Sequence, residues 1–130
     1  MARILLIDDD NSFRTMLGLT LAHFGHVVIE ARDGKEGLEL FPAARADLVI
    51  TDIVMPEKEG LEVLMELRKQ QPPVKIIAIS GGARNRSTGY LQIAEALGAS
   101  KILEKPFSNG ELMNAVNELL SMDTTKPPVT

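Results

Sequence analysis

The segment ILLIDDD (residues 4–10) decides the fold, because four consecutive apolar residues lead directly into three carboxylates. A continuous apolar run, rather than an alternating one, is typical of a strand buried on both faces of a parallel sheet. Four more short apolar runs follow, at residues 27–29, 48–50, 76–79 and 102–103. We therefore expect five parallel strands, each covered by helices on both sides.

Amphipathic stretches separate these runs. The first of them carries six residues at helical spacing, which we expect to form one buried face: Phe13, Met16, Leu17, Thr20, Leu21 and Phe24. Four further helices are predicted, the second ending near Pro42 and the fifth capped by Ser108 or Asn109. Five strands alternating with five helices predict an α/β fold with an open, doubly wound parallel sheet, since a closed eight-unit barrel needs about 250 residues.

Composition excludes several classes of protein. The chain has 130 residues, which suits one domain, and a net charge of −4, which does not favour direct binding of nucleic acid. It contains no cysteine, so disulfides, thiolate zinc sites and cysteine catalysis are excluded. No apolar run approaches the roughly 20 residues of a membrane-spanning helix. We expect no membrane insertion and a cytoplasmic location.

Polar side chains follow four of the predicted strands. Asp8 and Asp9 follow the first strand, Asp52 the third, Ser80 the fourth and Lys105 the fifth. Ligands of open α/β sheets bind at the carboxyl ends of the strands, so we expect these side chains to share one cleft. Clustered carboxylates repel one another unless a cation intervenes, and Mg²⁺ prefers oxygen ligands. An aspartate can also attack phosphorus, so the pattern favours phosphoryl transfer. The neighbouring Asp10 is expected to cap the following helix.

With these residues in this order, residues 3–121 resemble the receiver domain of two-component response regulators (CheY-like proteins). The segments that carry the resemblance are ILLIDDD (4–10), LVITDIVMP (48–56) with Gly60, GAS (98–100) and KPF (105–107). The resemblance implies a flavodoxin-like (βα)5 fold with strand order 2-1-3-4-5. We expect residues 1–121 to form the receiver domain. Residues 122–130 have no helical periodicity and include Lys126-Pro127-Pro128, which cannot continue a helix, so we expect a flexible tail there.

The resemblance further implies a role for each polar residue. Asp52 would be the phosphoacceptor, and Ser80 and Lys105 would contact the phosphoryl group. The implied ligands of Mg²⁺, or of Mn²⁺, are Asp8, Asp9, Asp52 and the backbone carbonyl of Val54. The Lys105-Pro106 peptide bond would be cis, as are only about 5–6% of X–Pro bonds in folded proteins.

A receiver of this kind takes a phosphoryl group from a phosphohistidine of a histidine kinase or a histidine phosphotransfer protein. It is a signalling phosphoacceptor that assists its own phosphorylation and slow autodephosphorylation, rather than an enzyme acting on a separate substrate. The resemblance implies that a downstream protein docks on the face formed by the fourth and fifth helices and the fifth strand. That face could also form a homodimer. We expect either a single-domain response regulator or a receiver taken from a longer protein.

The sequence departs from the family at two places. Ser80 and the residue three positions before Lys105 are the switch positions of such domains. The second is usually aromatic but is Ile102 here, so the mode of switching is open. In addition, the glycine-rich segment 81–89 is longer than usual beside the expected site.

Three alternatives stay open at this point. A phosphatase of haloacid-dehalogenase type also uses an aspartate nucleophile, but it places a second aspartate two positions later, where this chain has Val54. A flavodoxin-like cofactor site would need a phosphate-binding loop after the first strand, where three aspartates would repel phosphate. A degenerate receiver could bind partners without phosphate.

Overall fold

The computed structural model describes residues 2–53, 59–70, 74–80, 95–96 and 98–121. The elements within these ranges are, in chain order, β1 (Arg3–Ile7), α1 (Asn11–His23), β2 (Val27–Ala31), α2 (Gly34–Ala44), β3 (Leu48–Asp52), α3 (Glu59–Arg68), β4 (Lys75–Ser80), β5 (Lys101–Glu104) and the C-terminal helix (Asn109–Ser121). Val54, segment 81–89, the tail 122–130 and most of the fourth predicted helix lie outside the described residues. No helix of the described ranges is long and apolar enough to cross a membrane.

The five strands form one parallel sheet in the order β2-β1-β3-β4-β5, which confirms the predicted topology. The register pairs Ile7 of β1 with Thr51 of β3, and Asp52 of β3 with Ile79 of β4. Ser80 of β4 is paired with Glu104 of β5. The last residues of β1, β3, β4 and β5 therefore reach the same edge of the sheet.

The sheet separates two apolar clusters, and this explains why the central strands are continuously apolar. Along β1, Ile4 and Leu6 pack in the cluster that includes α1 and the C-terminal helix. Leu5 and Ile7 pack in the cluster that includes α2 and α3. Strands β1, β3 and β4 are buried almost throughout, whereas the edge strands β2 and β5 are only partly buried. The expectation of burial on both faces thus holds for the three central strands alone.

The buried face of α1 differs from the predicted one. Its buried residues are Arg14, Leu17, Gly18 and Leu21. Met16 and Phe24, both expected to be buried, are each 54% exposed. The buried residues also follow the i, i+3, i+4, i+7 spacing of a helix face, in a stripe that begins at a charged residue. A buried guanidinium is tolerated only when its donors find partners, which Arg14 does at the site described below.

Side-chain caps fix the starts of two helices that lie next to the carboxyl edge of the sheet. Asp10 caps α1, because its Oδ1 accepts a hydrogen bond of 3.0 Å from the backbone N–H of Phe13. Ser108 caps the C-terminal helix through a capping box with Glu111, with hydrogen bonds of 3.0 and 2.9 Å. Both caps agree with the sequence-based expectations. Helix α2, in contrast, continues past Pro42 to Ala44.

Candidate functional site

Three carboxylates gather where β1 and β3 end. Asp8 and Asp9 directly follow β1, and Asp52 is the last residue of β3. Asp8 and Asp52 are buried while Asp9 is exposed, and one oxygen from each carboxylate lies within 4.8 Å of the other two. The adjacent positions of β1 and β3 in the sheet produce this cluster from residues far apart in the sequence.

The two oxygens of the Asp8 carboxylate have different surroundings. Oδ1 accepts a hydrogen bond of 2.9 Å from the backbone N–H of Asp10. Oδ2 is buried and has no hydrogen-bond partner within the described ranges. Burial raises the pKa of Asp8 to about 6; the hydrogen bond from Asp10 opposes this rise, and the charge of Asp52 adds to it. A buried oxygen in this position, beside two further carboxylates, suits a divalent cation that prefers oxygen ligands, such as Mg²⁺ or Mn²⁺.

The ammonium group of Lys105 lies against this cluster. Lys105 Nζ donates a hydrogen bond of 3.2 Å to Asp52 Oδ2 and lies 3.8 Å from Asp8 Oδ2. The lysine directly follows β5, and its backbone N–H donates a 3.0 Å hydrogen bond to the carbonyl of Ser80 at the end of β4. The Lys105-Pro106 peptide bond is cis, as the resemblance implies. One cation and three carboxylates therefore meet at the carboxyl edge of the sheet.

The remaining predicted residues are placed differently. Ser80 is buried and ends β4, so it reaches the same edge. Ile102 is half-buried on β5. It packs against the apolar cluster that includes α3, on one face of the sheet rather than at the carboxyl ends of the strands. Val54, the proposed carbonyl ligand, lies outside the described residues. The structure thus brings Asp8, Asp9, Asp52 and Lys105 into one cluster, with Ser80 at the same edge.

Two residues of α1 contact the site although the sequence reasoning assigned them no role there. Arg14 Nη1 donates a 2.7 Å hydrogen bond to the backbone carbonyl of Asp8, and its Nε donates a 2.9 Å bond to Glu30 Oε1 on β2. The ring of Phe13 lies beneath Lys105, with its centroid 4.0 Å from Nζ. The spacing of Arg14 from Leu17 and Leu21, three and seven positions, could have indicated that Arg14 lies on the same buried face of the helix. Nothing in the sequence indicates that Phe13 would meet a residue so distant along the chain.

His26 lies at the opposite edge of the sheet, just before β2. Its Nδ1 accepts a 3.2 Å hydrogen bond from the backbone N–H of Ala2. Burial lowers the pKa of His26, and the positive charge of the chain terminus lowers it further. This hydrogen-bonded imidazole ties Ala2 to the residue before β2, and it is not a member of the cluster of Asp8, Asp9 and Asp52 found among the described residues.

Comparison with known proteins gives one consistent family. A family model describing the response regulator receiver domain matches residues 4–117. The response regulator MprA of Mycolicibacterium vanbaalenii is 36% identical over 122 residues, which cover 94% of this chain and 52% of MprA. The chain spans about half, or less, of the length of the curated relatives it matches.

Solved structures agree with this similarity. A CheY-like receiver domain protein from Methanospirillum hungatei superimposes with a TM-score of 0.85 at 28% identity, covering 93% of this chain and 94% of the other. The response regulator TrrA of Thermotoga maritima, solved in complex with Mg²⁺ and BeF, gives a TM-score of 0.77 at 35% identity and covers 92% and 99% of the two chains. The matches favour a receiver over the phosphatase and cofactor-binding alternatives.

Proposed function

The chain belongs to the response regulator receiver domain family, and we propose that it accepts a phosphoryl group on the carboxylate of Asp52. The observation that carries this proposal is the position of Asp52 at the carboxyl end of β3, beside two carboxylates and within hydrogen-bond distance of Lys105 Nζ. An oxygen nucleophile, a neighbouring lysine ammonium and a cluster of oxygen ligands are the groups that phosphoryl transfer requires.

In the proposed reaction, a carboxylate oxygen of Asp52 attacks the phosphorus of a phosphohistidine in line with the P–N bond. A new P–O bond forms as the P–N bond breaks. The electron pair of the P–N bond returns to the imidazole nitrogen. The products are an acyl phosphate on Asp52 and an unmodified histidine on the donor. Attack by water on the same phosphorus would later restore the carboxylate and release inorganic phosphate.

The residues present fit a divalent cation. Asp8, Asp9 and Asp52 would hold it, because their oxygens lie within 4.8 Å of one another and Asp8 Oδ2 is buried with no hydrogen-bond donor among the described residues. When bound, Mg²⁺ or Mn²⁺ would neutralise negative charge between the nucleophile and the phosphoryl oxygens. The backbone carbonyl of Val54 is a further proposed ligand.

Lys105 and Ser80 would act on the phosphoryl group from the protein side. The ammonium of Lys105 already lies at Asp52 Oδ2, so it can pair with a phosphoryl oxygen carried by that carboxylate. Ser80 ends the neighbouring strand β4, where its hydroxyl could donate to another phosphoryl oxygen. We propose that these contacts favour one of two conformations of the domain, since a ligand shifts an equilibrium only by its differential affinity for the two states.

The partners follow from this chemistry. The donor would be a histidine kinase or a histidine phosphotransfer protein, and a downstream protein would dock on the face that includes β5 and the C-terminal helix. We propose residues 1–121 as the receiver domain and residues 122–130 as a flexible tail. A domain of this kind assists its own phosphorylation and slow dephosphorylation, and it acts in the cytoplasm.

The direct test is phosphoryl uptake from acetyl phosphate and Mg²⁺, followed by intact-protein mass spectrometry. We expect one added phosphoryl group, and we expect Asp52→Asn to abolish it. Asp10→Asn is the matched control, because Asn can still cap α1 and Asp10 is an exposed neighbour of the cluster. Uptake that persists in Asp52→Asn would refute the assignment of Asp52. Many turnovers on simple phosphomonoesters would instead support a phosphatase.

A further inference from the structure

Within the described part of the chain, the ammonium of Lys105 lies close to two carboxylates and to one aromatic ring. Asp52 Oδ2 lies at 3.2 Å and Asp8 Oδ2 at 3.8 Å. The third neighbour is the face of the Phe13 ring, with its centroid at 4.0 Å. An ammonium group at this distance over a ring face is attracted by the ring quadrupole, and the attraction increases as water is excluded. The Lys105 side chain is only 23% exposed, so water is largely excluded here.

The Phe13 ring is itself held in place. It meets the ring of Phe107 edge to face, with centroids 6.0 Å apart and an interplanar angle of 84°. Both rings pack against the apolar cluster that includes α1 and the C-terminal helix. The backbone N–H of Phe13 is also bonded to the cap residue Asp10, which fixes the first turn of α1. The ring therefore offers a fixed surface to a lysine whose four-carbon stem is flexible.

The charged and uncharged neighbours respond differently to a cation. Any divalent ion held by Asp8 and Asp52 neutralises the two carboxylates that attract Lys105, and its charge repels the ammonium. The attraction of the ring face does not depend on the charge of those carboxylates. Of the three neighbours, Phe13 is thus the one that still attracts Lys105 when the carboxylates are occupied.

We propose that Phe13 is a positioning residue for Lys105. The face of the Phe13 ring keeps the Lys105 ammonium beside Asp52 when a divalent cation occupies the carboxylates. This inference rests on the proposed role of Lys105 in phosphoryl transfer. Phe13 itself touches no reacting atom and acts only through the lysine.

Nuclear magnetic resonance tests the contact independently of phosphorylation. Protons above an aromatic face resonate upfield, so we expect the Hε protons of Lys105 to be shifted upfield in the wild type, with and without Mg²⁺. Phe13→Leu, which keeps an apolar side chain but removes the ring, should abolish the shift, and Phe13→Tyr should restore it. Lys105→Met identifies the resonance. An unchanged Lys105 signal in Phe13→Leu would overturn the proposal.

Phosphorylation kinetics test the consequence. At saturating Mg²⁺, we expect Phe13→Leu to take up phosphate from acetyl phosphate about three- to tenfold more slowly, and Phe13→Tyr to recover the rate. Leu120→Ala is the control for lost packing, because Leu120 packs against the same cluster near the far end of the C-terminal helix. An equal loss of rate in Leu120→Ala, or no recovery in Phe13→Tyr, would overturn the proposal. Failure of the wild type to take up phosphate would refute the proposed function, whereas the resonance of Lys105 would still report the contact.

Discussion

Asp52 and Lys105 are joined by a hydrogen bond of 3.2 Å although 53 positions separate them in the sequence. Asp52 ends β3 and Lys105 follows β5, with β4 between these strands in the sheet. The lysine stem therefore passes the end of β4 to bring its charge to the carboxylate. The protein thus holds a positive charge at the proposed nucleophile before any phosphoryl group arrives.

Lys105→Met should separate cation binding from phosphoryl uptake. The carboxylates remain, and the repulsion between ammonium and metal is removed, so affinity for Mg²⁺ should not fall. The rate of uptake from acetyl phosphate should fall about ten- to a hundredfold, because a positioned donor to the phosphoryl oxygens is lost. Isothermal titration calorimetry and mass spectrometry measure the two quantities.

Lys101→Met is the matched control for that change. Lys101 begins β5, the strand that Lys105 follows, but it forms its ion pair of 2.6 Å with Glu118 of the C-terminal helix. We expect uptake within about twofold of the wild type, since a partly exposed ion pair contributes little to stability and this one lies away from the carboxylates. Comparable losses of rate in Lys101→Met and Lys105→Met would contradict the assigned role of Lys105.

Asp8→Asn should stabilise the metal-free protein at neutral pH. The folded-state pKa of Asp8 is raised from 3.8 to about 6. The contribution of Asp8 to the free energy of unfolding is therefore fully present below pH 3.8. This contribution is lost as pH rises through about 6, because the buried carboxylate must then ionise. At pH 7 with a chelator, we expect the free energy of unfolding to be about 1–3 kcal/mol higher in Asp8→Asn than in the wild type.

Urea unfolding across this pH range measures the difference. The gain should shrink towards pH 4, where Asp8 is protonated in the folded wild type. Asn can keep the hydrogen bond from the backbone N–H of Asp10, so the loop after β1 should be preserved. Asp10→Asn, an exposed change next to the cluster, is the control variant. A gain that is the same at pH 4 and pH 7 would exclude ionisation of Asp8 as its cause.

Binding of Mg²⁺ should offset the loss in free energy of unfolding that ionisation of the buried Asp8 causes. At a concentration of one hundred times its Kd, the ion should raise the free energy of unfolding of the wild type by about 2.7 kcal/mol. The effect should weaken below pH 6, because a protonated Asp8 is a poor ligand, and it should be largely lost in Asp8→Asn. Thermal unfolding in MgCl₂, against NaCl of equal ionic strength, measures it. Equal stabilisation by both salts would indicate screening rather than binding.

The sheet and the acidic edge could be predicted from the sequence because both depend on local patterns. Apolar runs that end in polar residues identify a buried strand and its chemical end without knowledge of the rest of the fold. The rotation of α1 could not be predicted in this way. Two helical stripes share Leu17 and Leu21, and the more apolar one includes Met16 and Phe24, which the structure leaves exposed.

The choice between those stripes is made by tertiary contacts. Arg14 is buried because the Asp8 carbonyl and Glu30 satisfy its donors, and both acceptors lie on other elements. The placement of Phe13 under Lys105 depends likewise on a residue that follows the last strand. Contacts between distant segments leave no periodic signal in either segment, so a single sequence does not reveal them.

Ile102→Tyr should leave phosphoryl uptake within about twofold of the wild type while changing the response to it. Ile102 is half-buried on β5, pairs with Ala78 of β4 and packs against the apolar cluster that includes α3. A larger aromatic side chain on this face would alter packing there, at a cost of about 1–3 kcal/mol for overpacking. Amide shifts caused by BeF₃⁻ and Mg²⁺ should differ from the wild type around β5. Identical shifts in both proteins would argue against Ile102 as a switch position.

Arg14→Met should weaken both the fold and the cation site, because one guanidinium joins α1, β2 and the loop after β1. Loss of the 2.7 Å bond to the buried Asp8 carbonyl should lower the free energy of unfolding by about 1–3 kcal/mol. Glu30→Gln removes only the charge from a partner that is 40% exposed, so it should cost less than about 1 kcal/mol. Mg²⁺ affinity should fall in Arg14→Met and stay near the wild-type value in Glu30→Gln, as measured by calorimetry beside urea unfolding. If Glu30→Gln were as harmful as Arg14→Met, the ion pair rather than the carbonyl contact would explain why Arg14 is buried.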